Sequence, residues 1–219
     1  MMERKLGRYF ADLEALPGEF RGRLCFVCRA VCEPVEGYRR SRLRDVRARR
    51  SHRAQDVVGE GGSLYVLRPI TRADAEEISG WRYPGPYSTY DVNPSSIPGL
   101  LDPRYNYHAV LDAGGELVGY FCFGADATVP EGRKRGLYGD DALDLGLGMR
   151  PDLTGRGLGP GFVRAGLRFA EGRFSPPAFR LTVATFNRRA IQVYEKAGFE
   201  AVREFGDRGP EWLLMRRPA

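Results

Sequence analysis

The sequence predicts an α+β, or mixed α/β, domain over residues 63–219, and three observations predict it. Strand-like and helix-like signals alternate after the glycine cluster "GEGG" at 59–62. Two apolar runs, "YHAVLD" (107–112) and "ELVGYFCFG" (116–124), flank a glycine pair, which is a β-hairpin signal. A glycine-rich turn, "RPDLTGRGLGPG" (150–161), joins a run of period-two patterning to a helix-forming run.

The elements follow in order. "LYVLRPI" (64–70) is a strand, and Thr71 with Asp74 three residues on has the form of a helix N-cap. Gly80 ends that helix. Residues 83–99 are rich in Pro, Gly and Tyr and read as loop with one short helix, and 127–141 read as a polar connection. "ALDLGLGM" (142–149) is a strand with Leu143, Leu145, Leu147 and Met149 on one face and Asp144, Gly146 and Gly148 on the other. The helix over 162–174 starts beside Pro160, whose missing N–H is harmless in a first turn. "FRLTVATF" (179–186) is a strand, and Asn187 caps a helix that runs to about Ala197 and stops at Gly198. The runs 199–205 and 211–217 form a closing hairpin.

Composition sets outer bounds. Hydrophobic residues are 42% and charged residues 28%, which suits a globular core in most of the chain. No apolar run approaches the ~20 residues of a membrane span, and the first residues lack the apolar stretch of a secretory signal. A cytoplasmic protein is expected. Cys25, Cys28, Cys32 and Cys122 do not make a secreted disulfide framework.

The net charge of +6 is uneven: residues 1–62 carry 14 Lys+Arg against 9 Asp+Glu, and residues 63–219 carry 20 against 19. Residues 39–53 alone hold eight Arg and one Asp. Residues 1–62 therefore read as an Arg-rich, poorly ordered N-terminal extension. Cys25, Cys28 and Cys32 with His52 offer zinc-ligand types, but a second ligand pair at the right spacing is missing and no metal is expected. The arginine run is a candidate for electrostatic contact with RNA; the nearly neutral main domain argues against nucleic-acid binding as the function.

Four glycines in "TGRGLGPG" (154–161) let a backbone approach a ligand, and the N–H groups of the following helix suit a phosphate or pyrophosphate. A dinucleotide fingerprint fails, because Phe162 stands where its last glycine is required, and a Walker loop fails for want of a Lys. A merely tight strand-to-helix turn stays open on this motif alone.

The second motif is "NRRAIQVYEKAGF" (187–199). In this order and spacing the pair resembles the acyl-CoA site of the GCN5-related N-acetyltransferase (GNAT) superfamily, over roughly residues 64–216. Gly157 and Gly159 match the turn of that family; Asn187, Ala190, Tyr194, Glu195, Gly198 and Phe199 match its second motif. The family's Gln/Arg position falls on Thr154, a departure that Arg156 offsets in charge. The resemblance implies a central mixed, mostly antiparallel sheet flanked by helices. It also implies acetyl-CoA as acyl donor and transfer to a primary amine by direct attack. The implied acetyl-CoA contacts are Leu147, Met149, Thr154, Gly155, Arg156, Gly157, Leu158, Gly159, Asn187, Ala190 and Tyr194.

Helical geometry puts Asn187, Ala190, Ile191 and Tyr194 on one stripe. In the resembling family this face follows the pantetheine arm and the Tyr hydroxyl meets the sulfur; the alternative is a core tyrosine. For a general base, the family's glutamate position falls on Thr182. Asp144 is the best candidate, on the strand face without bulk; a structural ion pair with an arginine or a water relay are the alternatives. The aromatic loop 81–91 supplies Trp81, Tyr83, Tyr87 and Tyr90 as acceptor-binding candidates. No acidic cluster marks a polycationic acceptor; a protein amine or a small-molecule amine remains open. A non-catalytic acyl-CoA sensor or scaffold is the competing function, disfavoured by Tyr194. Oligomeric state, monomer or homodimer, is not legible.

Overall fold

A computed structural model describes residues 55–58, 64–207 and 209–219. They form one eight-stranded sheet in the order β1-β2-β3-β4-β5-β6-β8-β7. The strands are β1 (Gln55–Val58), β2 (Leu64–Pro69), β3 (His108–Leu111), β4 (Leu117–Phe123), β5 (Leu143–Met149), β6 (Ala178–Ala184), β7 (Glu200–Phe205) and β8 (Trp212–Pro218). The helices are α1 (Arg72–Ser79), α2 (Ile97–Leu100), α3 (Pro130–Lys134), α4 (Gly159–Phe174) and α5 (Arg188–Lys196). Every pairing is antiparallel except β5 with β6.

The local sequence explains the helix ends. Thr71 and Asp74 form a reciprocal capping box at the start of α1, and the Asp74 carboxylate also pairs with Arg68. Asn187 Oδ1 accepts the Ala190 N–H at 3.2 Å and caps α5. Gly198 follows α5 at φ +87°, a left-handed value that only glycine adopts cheaply. Pro130 opens α3, a helix that the reading of 127–141 as a connection did not include.

β1 lies on the N-terminal side of the boundary drawn from the sequence. It pairs antiparallel with β2, Gln55 opposite Leu67 through Val58 opposite Leu64. The arginine run and the Cys25, Cys28, Cys32 and His52 group lie outside the described residues.

Three apolar clusters pack against the sheet, one of them around Val129, Tyr138, Phe205, Trp212 and Leu214. On the α4 face, Phe121 stacks on Phe162 at 4.8 Å and Phe123 on Phe169 at 5.8 Å, with Leu145, Leu167 and Met215 buried around them. On the α1 face, Ile78, Trp81, Leu100, Tyr107, Tyr120 and Cys122 pack together. β4 is buried along its whole length, so its apolar run does not alternate. Each such side chain contributes roughly 1.5–3 kcal/mol through burial. His108 sits in the first layer, 4.7 Å from the Phe169 ring, and its Nδ1–H donates to the Asn106 carbonyl at 2.9 Å. Burial pushes its pKa down to about 4.

Candidate functional site

The one parallel pairing is short. β5 and β6 are in register only at Leu143 with Phe179 and Asp144 with Arg180. Beyond that point β5 keeps its other neighbour, β4, to Met149, and its burial falls from complete to partial at Leu147. The two strands fork, and a cleft of about 410 Å³ opens between them.

The register fixes which backbone groups face the cleft. The Asp144 carbonyl accepts from Gly124 N–H at 2.8 Å and the Arg150 N–H donates to Val118 at 2.9 Å, so even-numbered positions of β5 point their hydrogen bonds at β4. Alternation then turns the N–H and C=O groups of Leu147 and Met149 towards the fork. The Met149 carbonyl accepts the Tyr83 hydroxyl there at 2.7 Å.

The glycine turn closes one end. Gly155 and Gly157 take φ values of +76° and +79°, and both line the cleft. No side chain caps the start of α4, so its first-turn N–H groups are open to an external acceptor. Gly159 is required for a different reason: a Cβ there would lie 2.9 Å from Val193 Cγ2. The first residue of α4 is therefore pressed directly onto α5.

Most predicted residues meet at this cleft. Met149, Thr154, Gly155, Gly157, Asn187 and Ala190 line it, as do Leu147, Gly159 and Tyr194. Arg156 and Leu158 are exposed and do not line it. The charge near the turn comes instead from Arg189, whose Nη1 lies 3.5 Å from the Cβ direction of Gly155 and whose guanidinium sits 4.5 Å above the Tyr87 ring. Sequence reasoning missed Arg189 because it occupies an unspecified position of the second motif.

Tyr194 is buried, with its ring edge-on to Phe199 at 6.2 Å. Burial, with the nearby Tyr90, raises its pKa well above the ordinary tyrosine value. Tyr90 holds the same wall: its hydroxyl accepts from Asn187 Nδ2 at 3.4 Å.

Asp144 is placed differently from a base. It does not line the cleft; its carboxylate takes Arg180 Nε at 2.7 Å and Nη2 at 2.9 Å, and both side chains are 2% exposed. Burial pushes the Asp144 carboxyl up to about 6, with Arg180 pulling the other way. Burial lowers Arg180, but the Asp144 and Asp140 carboxylates more than offset this, so the pair is ionised at neutral pH. The face that seemed free of bulk is also filled. Cβ atoms on Gly146 and Gly148 would meet Cys122 Sγ and the Tyr120 ring, both at 2.5 Å. β4 supplies the side chains that β5 lacks.

Thr182 does line the cleft, and its hydroxyl is hydrogen-bonded to Tyr138 at 2.9 Å. Tyr83, Tyr87 and Tyr90 form a wall. Trp81 stands behind it, stacked on Tyr120 at 6.2 Å, and Tyr120 takes the lining position. Among the described residues no helix is long and apolar enough to cross a membrane.

Comparison with known proteins bears on the family and the fold. A family model described as "Acetyltransferase (GNAT) family" matches residues 72–199. A mycothiol acetyltransferase of Streptomyces coelicolor is 47% identical over 53 residues, which are 24% of this chain and 17% of that protein's length. An acetyltransferase (GNAT family) from Bacillus anthracis superposes with a TM-score of 0.57 at 15% identity, over 75% of this chain and 98% of its own. A chimera of the Vibrio cholerae spermidine N-acetyltransferase SpeG and hSSAT gives 0.54 at 18% identity, over 70% and 95%. AAC(6')-Ib in complex with ribostamycin and coenzyme A gives 0.54 at 21% identity, over 70% and 93%. At these identities the solved structures bear on the fold alone.

Proposed function

The chain belongs to the acetyltransferase (GNAT) family, and on that premise we propose that it moves the acetyl group of acetyl-CoA to a primary amine, by direct attack on the thioester. The observation that carries this reading is the fork between β5 and β6, set beside an uncapped helix N-terminus and walled by Tyr194.

The residues present fit the donor. The N–H and C=O groups of Leu147 and the N–H of Met149 match an amide-bearing arm laid along β5 in the manner of a strand. Gly155, Gly157 and the first turn of α4 match a diphosphate, and Arg189 adds positive charge from α5. The donor supplies an activated carbonyl, whose C–S bond breaks as the new C–N bond forms.

Tyr194 serves the departing sulfur. Its raised pKa keeps the hydroxyl protonated at neutral pH, so it donates a hydrogen bond where thiolate charge develops. A free thiol has a pKa near 8.5, so little proton transfer is needed from the tyrosine itself. Asp144 is committed to Arg180 and acts by holding the fork together, and the amine proton passes to water in the cleft. Thr182 and Tyr138 orient that water-facing wall through their mutual hydrogen bond.

The test is incubation with acetyl-CoA and a panel of amines, reading released CoA and a product heavier by one acetyl group. The reading fails if acetyl-CoA neither raises the melting temperature nor turns over.

A further inference from the structure

We infer that the acceptor is a small monoamine with an aromatic or flat apolar body and no second positive charge. The inference rests on the acetyl-transfer reading above and specifies its substrate class.

The two faces of β5 differ. Leu145 and Leu147 belong to the α4-side core, whereas the glycine face is covered by Tyr120 and Cys122. The lining of the cleft includes four aromatic rings, those of Tyr83, Tyr87, Tyr90 and Tyr120, the last against the glycine face. Such rings bind apolar and aromatic bodies through large, rigid contact areas and edge-to-face packing.

The charge of the lining is one-sided. Among the described residues no Asp or Glu lines the cleft, while Arg189 and Lys196 do. Two carboxylates on neighbouring elements are engaged elsewhere: Asp91 Oδ1 accepts the Tyr83 N–H at 2.8 Å, and Asp126 accepts the Tyr107 hydroxyl. An acceptor with several amines brings at least one ammonium that stays charged while another reacts. That ammonium would lose hydration and find no carboxylate in exchange. An aromatic wall can hold a cation through its ring faces, a weaker exchange than a carboxylate, and Arg189 already takes one face of Tyr87. The reacting amine escapes this penalty because it must be neutral to attack.

The experiment is steady-state CoA release by the full chain at saturating acetyl-CoA. The acceptors compared are phenethylamine, tyramine, 1,4-diaminobutane, spermidine and ribostamycin. The expected kcat/KM for phenethylamine or tyramine exceeds that for each polycation by at least about 10-fold. Equal or better turnover of a polycation overturns the inference and leaves acetyl transfer standing. Binding of acetyl-CoA, seen as a melting shift, without turnover of either aromatic amine also overturns it. Absence of that shift together with absence of turnover overturns the underlying reading instead.

Discussion

Asp144 and Arg180 stand opposite each other in the last register pair of β5 and β6, and their side chains close a bidentate ion pair where the strands part. The pair ties the strands together on one side of the point where they must separate on the other.

Asp144→Ala is expected to destabilise the fold by about 3 kcal/mol, because it strands a buried guanidinium. Arg180 then keeps one carboxylate, the half-exposed Asp140, beside the Leu137 carbonyl and the Tyr138 ring. Thermal melting checks the loss, at about 2–4 °C per kcal/mol for a domain of this size. The pH–rate profile of Asp144→Asn separates a structural role from a catalytic one. Its acid limb should keep the parent midpoint; a profile that loses that limb would make Asp144 the base.

Tyr194→Phe keeps the ring against Phe199 and removes only the hydroxyl. kcat is expected to fall by roughly 10-fold or more with KM for acetyl-CoA nearly unchanged, since the interaction forms as the C–S bond breaks. Steady-state CoA release gives both constants. A parental kcat would reduce Tyr194 to a packing residue.

Gly157→Asp should abolish the melting shift that acetyl-CoA produces. The carboxylate would oppose a diphosphate, and φ +79° strains any side chain. Gly157→Ala shares the strain without the charge, and no neighbouring atom stands within 4 Å of its Cβ. It should lose about 1 kcal/mol of stability and keep most of the shift.

His108 makes stability depend on acidity. Its folded pKa of about 4 lies below the unfolded value near 6.5, so between them the unfolded chain binds more protons. The contribution is complete above about pH 6.5 and is lost as pH falls towards 4, by up to about 3 kcal/mol. Melting temperatures at pH 7.5 and pH 5 should therefore differ more in the parent than in His108→Gln. Equal slopes would show that His108 titrates normally.

A chain beginning at Ser63 lacks β1 and bares the edge of β2. It should melt a few degrees lower but bind acetyl-CoA as before, because the cleft opens between β5 and β6, far across the sheet. A chain beginning at Gln55 should regain the difference. Loss of acetyl-CoA binding on removal of β1 would show that the cleft depends on that edge.

Where the sequence was legible, the signal was local. The capping box of Thr71 and Asp74, the cap of Asn187 and the stop at Gly198 are set by neighbours in the chain, and each is present in the structure. What escaped depends on which strand lies beside which. β1 carried no readable pattern within an arginine-dense segment. Gly146 and Gly148 looked like open space because Cys122 and Tyr120 reach them only through cross-strand register. Tyr120 was hidden in a strand whose residues are all buried, so nothing distinguished a cleft-lining ring from a core one. The fork itself leaves no mark in β5 or β6 taken singly.

The contact between Gly159 and Val193 works as a gauge. Only the short Val193 side chain stands between the start of α4 and α5, so the two helices pack closely there, and that contact helps set the span from the glycine turn to the Tyr194 hydroxyl. Under the proposed chemistry, donors built on the same arm would present their sulfur at one fixed mark, whatever acyl group they carry. Differences in acyl length would have to be absorbed beyond that mark, among the tyrosine rings. The choice of acyl group and the choice of amine would then compete for the same space, and a donor with a longer acyl chain should narrow the range of amines accepted.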